Sequence, residues 1–334
     1  MPDLVSITPS CRPVDGKTSA KPMRTVRPIL VWLTILLASP GFQAMARDAA
    51  ELSASGEQAR PADGAFRQAD PAERDAVRSE LRQAVTEKTR HRLETMKKRK
   101  ALPHGVVDTR LARLAAAEDP AYLDRVARDA KTRLRPALGD QPPSQYFVYV
   151  DRNPARQLLF VGYYDAGTET VELLGADLVS TGLLRRGQDS FLTPTGVFEH
   201  LPDNFGYRAK GTKNERGWRG LGGKGSRVWD FGFQQGPREF RRGVYESQMR
   251  LLMHATDPDH GEPRLGGMDS KGCVRVSADM NRFLDRRSIL DRHYERLAAQ
   301  TPDMWLLAPD RIPVSAPGSF MVVGDTAGTE NAAR

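Results

Sequence analysis

"QMRLLMHATDPDHGEPRLGGMDSKGCVRVS", residues 248–277, decides how the chain is read. Its first seven residues alternate as an extended strand does. Met249, Leu251 and Met253 point to one side, Arg250, Leu252 and His254 to the other. The strand closes on a histidine. Eighteen residues rich in Gly, Pro and Asp then lead to Cys273, and that is the composition of a loop that carries function. A cysteine nucleophile needs a base within hydrogen-bond reach, because a free thiol at neutral pH is only a few per cent thiolate. Histidine is the usual base. Of the six histidines, His91 and His104 fall in helical stretches and His293 on a charged helix, whereas His254 closes the strand that feeds this loop.

Whether Cys273 stands alone depends on the N-terminus. Residues 1–46 read as an export signal, with Lys21, Arg24 and Arg27 before the short apolar core "ILVWLTILLA" (29–38). Pro40 and Gly41 break that core, and "AMA" (44–46) offers the small residues a signal peptidase requires. Met23 is an alternative start that keeps every one of these features. Ten apolar residues fall short of the roughly 20 a spanning helix needs, so no stable membrane anchor is expected after cleavage. The expected location is the periplasm or cell envelope. Cleavage takes Cys11 with it, along with five basic and two acidic residues, and lowers the formal charge from +8 to +5. A lone thiol in an oxidising compartment is either a reactive group or a buried small hydrophobe, and the count alone does not choose.

Upstream, residues 47–69 lack periodicity and read as a flexible leader. Asp70-Pro71-Ala72-Glu73 combines an N-cap, a first-turn proline and a glutamate three after the cap, so a helix begins there. Val77, Leu81 and Val85, then Leu93 and Met96, continue it until Pro103 and Gly105. A short helix around Leu111 and Leu114 follows. Another starts at Asp119-Pro120 and carries Leu123, Val126, Ala130 and Leu134 to Pro136. The region 70–140 is therefore helical, and the Lys97–Lys100 charge run reads as a solvated face.

From Gln141 the texture changes. "YFVYV" (146–150), "LLFVGYY" (158–164), "VELL" (171–174), "DLVS" (177–180), "RVWDFGF" (227–233), "MWLLA" (304–308) and "SFMVVG" (319–324) are runs of β-formers between turn signals. Ser277 can cap a helix bearing Phe283 and Leu284, with a further helical turn near Asp291. The fold class is α+β, a mainly-β catalytic domain over 144–325 after a small helical region, with a loose tail at 326–334.

Residues 206–243 hold ten glycines, ten Lys or Arg and three Asp or Glu, interleaved with aromatics. Basic and aromatic residues together can signal nucleic acid. An exported chain would not meet it, so no nucleic-acid partner is expected. A flexible basic lid over a carboxylate-rich substrate and an ordinary solvated insertion both remain open. "GLGGKG" (220–225) leads into a strand rather than a helix and is not a phosphate-binding turn.

The order His254, fifteen residues, Ser270-Lys271-Gly272-Cys273-Val274-Arg275 resembles the signature of the L,D-transpeptidase catalytic domain, also called the YkuD domain. "STG" (180–182) and "LTPTGVFEH" (192–200) resemble that family's upstream motif in the correct order. The resemblance implies Cys273 as nucleophile, His254 as general base, and the Ala255 carbonyl orienting the imidazole. It also implies backbone N–H groups around Gly272 and Cys273 as oxyanion donors, loop support from Ser270, and a substrate contact from Arg275. Peptidoglycan stem peptides would be the partner, a thioester the intermediate and a cross-link the product. No metal or cofactor is expected. Hydrolysis of the same thioester, as in a carboxypeptidase or a cross-link-cleaving peptidase, and a non-catalytic peptidoglycan-binding protein are the alternatives. Lys271 stands where the family usually has histidine. Its ammonium either lies beside the thiol and favours the thiolate, or points to solvent.

Overall fold

The computed structural model describes residues 66–184, 190–240, 243–301 and 304–327. The signal segment and most of the leader lie outside the described residues. All those described belong to one compact unit, Ala59–Arg334. The helices are α1 (Pro71–Leu81), a π-helical turn (Arg82–Thr86), α2 (Glu87–Lys98), α3 (His104–Ala116) and α4 (Pro120–Ala137). After them come β1 (Gln145–Asp151), β2 (Leu158–Asp165), β3 (Thr170–Leu178), β4 (Ser190–Phe191), β5 (Gly196–Glu199), β6 (Tyr207–Arg208), β7 (Arg227–Phe240) and β8 (Gly243–Ala255). β9 (Val274–Val276), α5 (Ala278–Arg286), α6 (Arg292–Ala298) and β10 (Phe320–Gly324) complete the order.

Two sheets form. The first runs β3-β2-β1-β10-β5, with β1 and β10 parallel and the other neighbours antiparallel. The second runs β4-β7-β8-β9, with β8 and β9 parallel and β6 pairing with β7. The first sheet is covered on both faces, which explains why β1 and β2 read as unbroken apolar runs rather than alternating ones. On one face, Tyr146, Val148, Val150 and Val161 meet Trp229, Phe231, Leu251, Met253 and Val274 of the second sheet, together with Phe283 and Leu284 of α5. On the other, Phe147, Tyr149 and Phe160 meet Tyr122, Val126, Ala130 and Leu134, which recur every four residues on one stripe of α4. Burying each Val or Leu of that stripe is worth about 1.5–3 kcal/mol. The helical region is therefore a third layer of the same core.

The helix starts follow the expected chemistry. Glu73 N donates to Asp70 Oδ1 at 2.8 Å, Ala121 N to Asp119 Oδ1 at 3.1 Å, and Met280 N to Ser277 Oγ at 3.1 Å. Glu73 does not turn back on its cap. Its carboxylate accepts from Tyr146 Oη and Ser315 N, both at 3.1 Å, and ties the helix to the sheet.

Several sequence expectations are corrected. "VELL" and the first two residues of "DLVS" form one strand, because Gly175 between them admits Leu81 rather than a turn; a Cβ there would lie 2.9 Å from Leu81 Cδ2. "MWLLA" is a turn: Leu306 and Leu307 pack on Tyr294, and the Leu306 carbonyl accepts from Arg208, so its apolar residues serve packing without a strand partner. Gly105 lies inside α3 and Pro136 inside α4. Of the leader, Arg67 and Ala69 are pinned, Arg67 N to Ser315 O at 3.1 Å and Ala69 N to Tyr163 Oη at 3.1 Å. Of the tail, Thr326 is buried on Asp151. Most important, the segment 206–243, open to a lid or an insertion reading, is nearly half strand. β7 and β8 pair from Val228↔His254 out to Phe240↔Gly243.

Candidate active site

β9 runs parallel to β8 with Met253 opposite Val274 and His254 opposite Arg275. Alternation then sorts the second sheet. Leu251, Met253 and Val274 enter the core, whereas Leu252, His254, Arg275 and, one step before β9, Cys273 share the opposite face. Val228 and Asp230 of β7, opposite His254 and Leu252, lie on that face too.

Cys273 is half-buried. Burial pushes its thiol pKa up. The Leu252 backbone N–H and Arg275 favour the thiolate, while Asp230 opposes it. His254 is buried, and its Nδ1 lies 2.7 Å from Ala255 O. A carbonyl only accepts, so Nδ1 carries the proton and Nε2 keeps its lone pair. Burial, opposed by that hydrogen bond and aided by Arg275, lowers the imidazole pKa to about 4. Both groups are thus neutral near pH 7.

The turn that presents the thiol is held from several directions. Gly272 has φ +125°, and a Cβ there would sit 2.8 Å from Met249 Cε and 2.9 Å from Phe191 Cβ, so only glycine fits. Ser270 Oγ donates to Cys273 O at 2.5 Å and accepts from Gly272 N at 3.0 Å. The Gly272 carbonyl accepts from Thr193 Oγ1 at 2.7 Å, which in turn accepts from Gly182 N at 2.8 Å. The "STG" and "LTPTG" stretches therefore clamp the cysteine turn. Gly182 has to be glycine for that: its Cβ would meet Phe191 O at 2.1 Å and Gly272 Cα at 2.8 Å.

Arg275 donates to Asp269 through Nη1, at 3.1 Å to the carbonyl and 3.3 Å to Oδ2. Lys271 is exposed, and its carbonyl accepts from Phe191 N at 3.3 Å. The charges that bear on the thiol are Arg275 and Asp230 rather than Lys271. The Gly272 N–H, one of the expected oxyanion donors, donates to Ser270 Oγ at 3.0 Å in this structure.

The glycine-rich stretch before β7 is docked on the loop between His254 and Cys273. Gly222, at φ +91°, packs on Ala255, where a Cβ would lie 2.6 Å from Ala255 Cβ. Arg219 N donates to Asp257 Oδ2 at 2.8 Å, and Trp218 stacks on His260 at 5.4 Å with Arg264 over its ring at 4.8 Å. Burial would raise the Asp257 pKa, but the N–H groups of Arg219, His260 and Asp259 outweigh it and lower it. From the other side Arg92 pairs with Glu262, and Arg110 donates to Pro263 O. The helical layer braces the same loop.

Sequence reasoning missed Tyr207, Asp230 and Arg250. Arg250 Nε donates to Asp230 Oδ2 at 2.7 Å, and the Tyr207 hydroxyl, raised first by burial, also responds to Asp230, Cys273 and Arg250. The available signal was Asp230, an acid between Trp229 and Phe231 in the apolar run 228–231 of β7.

Residues 145–293 match the family model of YkuD, the L,D-transpeptidase catalytic domain. This part of the chain is an L,D-transpeptidase catalytic domain, and it belongs to a family that acts on peptidoglycan peptides and is typically exported to the cell envelope. No curated protein matches the chain. Among the described residues no helix is long and apolar enough to cross a membrane.

Proposed function

We propose that the chain is a peptidoglycan L,D-transpeptidase of the periplasm or cell envelope, in which Cys273 is the nucleophile and His254 the general base. The observation that carries the reading is the bond from His254 Nδ1 to Ala255 O, on the strand face that Cys273 shares. It leaves Nε2 as a proton acceptor on the face that carries the thiol. Nε2 takes the thiol proton as sulfur adds to the carbonyl carbon before the terminal residue of a stem peptide. The imidazolium then gives that proton to the leaving amine, D-alanine departs, and a thioester remains. An amine from a neighbouring stem next attacks the thioester, passes its proton to Nε2, and sulfur leaves with that proton returned.

Because burial keeps thiol and imidazole neutral at rest, the proton moves during attack rather than before it. The Cys273 N–H is the donor best suited to the oxyanion, since Gly272 N–H already serves Ser270. Arg275 contacts the acidic stem, and Lys271 acts through the backbone of the turn.

The test is incubation of the chain, and of Cys273→Ala, with defined disaccharide tetrapeptides, followed by mass analysis. Released D-alanine and a cross-linked dimer, both lost in Cys273→Ala, are expected. Trimmed monomer without dimer would replace transfer by hydrolysis. No product from the wild-type chain would remove the enzymatic reading.

A further inference from the structure

We infer that Arg250 is a specificity residue that holds a carboxylate of the substrate peptide beside the bond that Cys273 attacks; this rests on the transpeptidase reading above. Arg250 lies two residues before Leu252, whose N–H favours the Cys273 thiolate, and four before His254, on the same face of β8. Two strand residues span about 7 Å, a separation a long side chain covers.

The guanidinium is held and open at once. Nε donates to Asp230 Oδ2 at 2.7 Å, Nη2 to Asn204 O at 3.2 Å, and the group lies 5.2 Å above the Phe233 ring. Its Nη1 has no hydrogen-bond partner among the described residues, and the side chain is 46% exposed against 2% for Asp230. Arg275 differs, because Asp269 of its own loop already engages its Nη1.

The backbone around Arg250 is distorted to make this arrangement. The β7–β8 register shifts between Asp230 and Phe233, and Gly232 there, at φ +74°, is closed on by Asn204, whose Oδ1 would lie 2.9 Å from a Cβ. Bulges of this kind re-aim side chains next to active sites. Phe205 follows with φ +34° and ψ 81°, a left-handed conformation costly for a bulky residue, yet it is 48% exposed and fills no core position. Its ring meets Tyr294 edge-on at 6.5 Å and Trp305 at 6.2 Å, and the turn it closes brings the Asn204 carbonyl onto Arg250. Tyr207, which pairs with Val228 on β7, has its hydroxyl pKa raised first by burial and then influenced by Asp230, Cys273 and Arg250.

A carboxylate is the ligand a fixed guanidinium edge selects. A stem peptide offers two near the scissile bond, the terminal carboxylate of the leaving residue and the side-chain carboxylate of a diamino acid before it.

The experiment compares three synthetic tetrapeptides: the free acid, the terminal carboxamide, and the diamino-acid carboxamide. Values of kcat/KM for D-alanine release are measured with wild type, Arg250→Met and Arg250→Lys. Equilibrium binding is measured on Cys273→Ala with and without Arg250→Met, and melting curves confirm that each variant is folded. One amide should cost the wild-type chain roughly 10- to 100-fold, the worth of a charged hydrogen bond, and which amide it is names the carboxylate. Arg250→Met should lose a similar factor on the acid and no longer distinguish acid from amide, and Arg250→Lys should recover part of it. Discrimination that survives in Arg250→Met, or is missing in wild type, overturns the inference, as does the absence of any peptide binding. Discrimination in binding that depends on Arg250, without D-alanine release, would uphold the anchor and refute the transpeptidase reading.

Discussion

The two halves of the β7–β8 hairpin share one ladder and little else. At the near end Arg227–Asp230 are buried against Leu252–Ala255, where only Leu252 is partly open. At the far end Phe233, Val244 and Tyr245 are more than half exposed. The boundary is the register shift between Asp230 and Phe233. Pairing therefore does not decide which half can do chemistry. What decides is cover: the first sheet, α5 and the docked glycine-rich loop dry the near half. Dryness keeps the His254 imidazole neutral and leaves the Cys273 thiol protonated until a substrate arrives.

The strongest way to break this contrast is to remove the base at the buried end. His254→Ala should cut turnover by about 10²–10⁴-fold, the usual worth of a positioned general base. The wild-type acylation rate should stay level as pH falls to about 5 and drop only through about 4, where the imidazole protonates. A decline centred near 6.5 would mean that His254 is solvated.

Gly272→Ala should come next. The φ of +125° and the 2.8 Å approach of Met249 predict a loss of roughly 1–3 kcal/mol, with acylation falling further than stability, because the turn that aims the thiol must shift. Thermal melts and acylation rates on one preparation separate the two.

The buried end should also make the fold sensitive to acid. His254 and His200, whose Nδ1 sits 3.1 Å from Asp230 O, both have pKa values lowered by burial to about 4. Between pH 6.5 and 4 the unfolded chain holds more protons at these two groups. Their contribution is full above 6.5 and lost as pH falls through 4. Asp177, raised to about 6 by burial, works the other way, its contribution being present at low pH and lost as pH rises through 6. Asp151 and Asp285, also raised by burial, act in the same sense as Asp177, so the histidine contribution is read from His200→Gln, which should flatten the fall in denaturant midpoint between pH 6.5 and 4 relative to wild type. An unchanged pH dependence in that variant would contradict the assigned burial of His200.

Smaller effects sharpen the comparison. Lys271→Met should leave the apparent pKa of thiol alkylation unchanged, because the exposed lysine does not act on the sulfur. At the far end, Val244→Thr and Tyr245→Ser should change stability by no more than about 0.5 kcal/mol. A larger loss would show that the exposed ribbon carries packing of its own.

What the sequence made legible follows physical range. Helix caps at Asp70, Asp119 and Ser277 are local chemistry, and all three form as read. The order of His254 and Cys273 could be read because one strand and one loop contain both. The far half of the hairpin could not, since Gln234, Gln235, Gln248 and the surrounding arginines show no apolar alternation when neither face is covered. Asp230, Tyr207 and Arg250 come together only through cross-strand register and a bulge, and neither leaves a mark on linear spacing. The helices were visible as elements, while their bracing of the catalytic loop through Arg92 and Arg110 depends on partners about 150 residues away.

β10 imposes an order in time. It is the last strand in order among the described residues, yet it lies between β1 and β5 in the first sheet, its parallel partner β1 ending some 170 residues earlier. Until Phe320–Gly324 emerge, β1 has an open edge and both core faces lack the side chains of Met321, Val322 and Val323. Contacts of such sequence separation form late, because the loop must close before they can contribute. A nascent chain can hold His254 and Cys273 without the platform that aligns them. His254 and Cys273 gain their final alignment only after β10 has emerged and docked between β1 and β5.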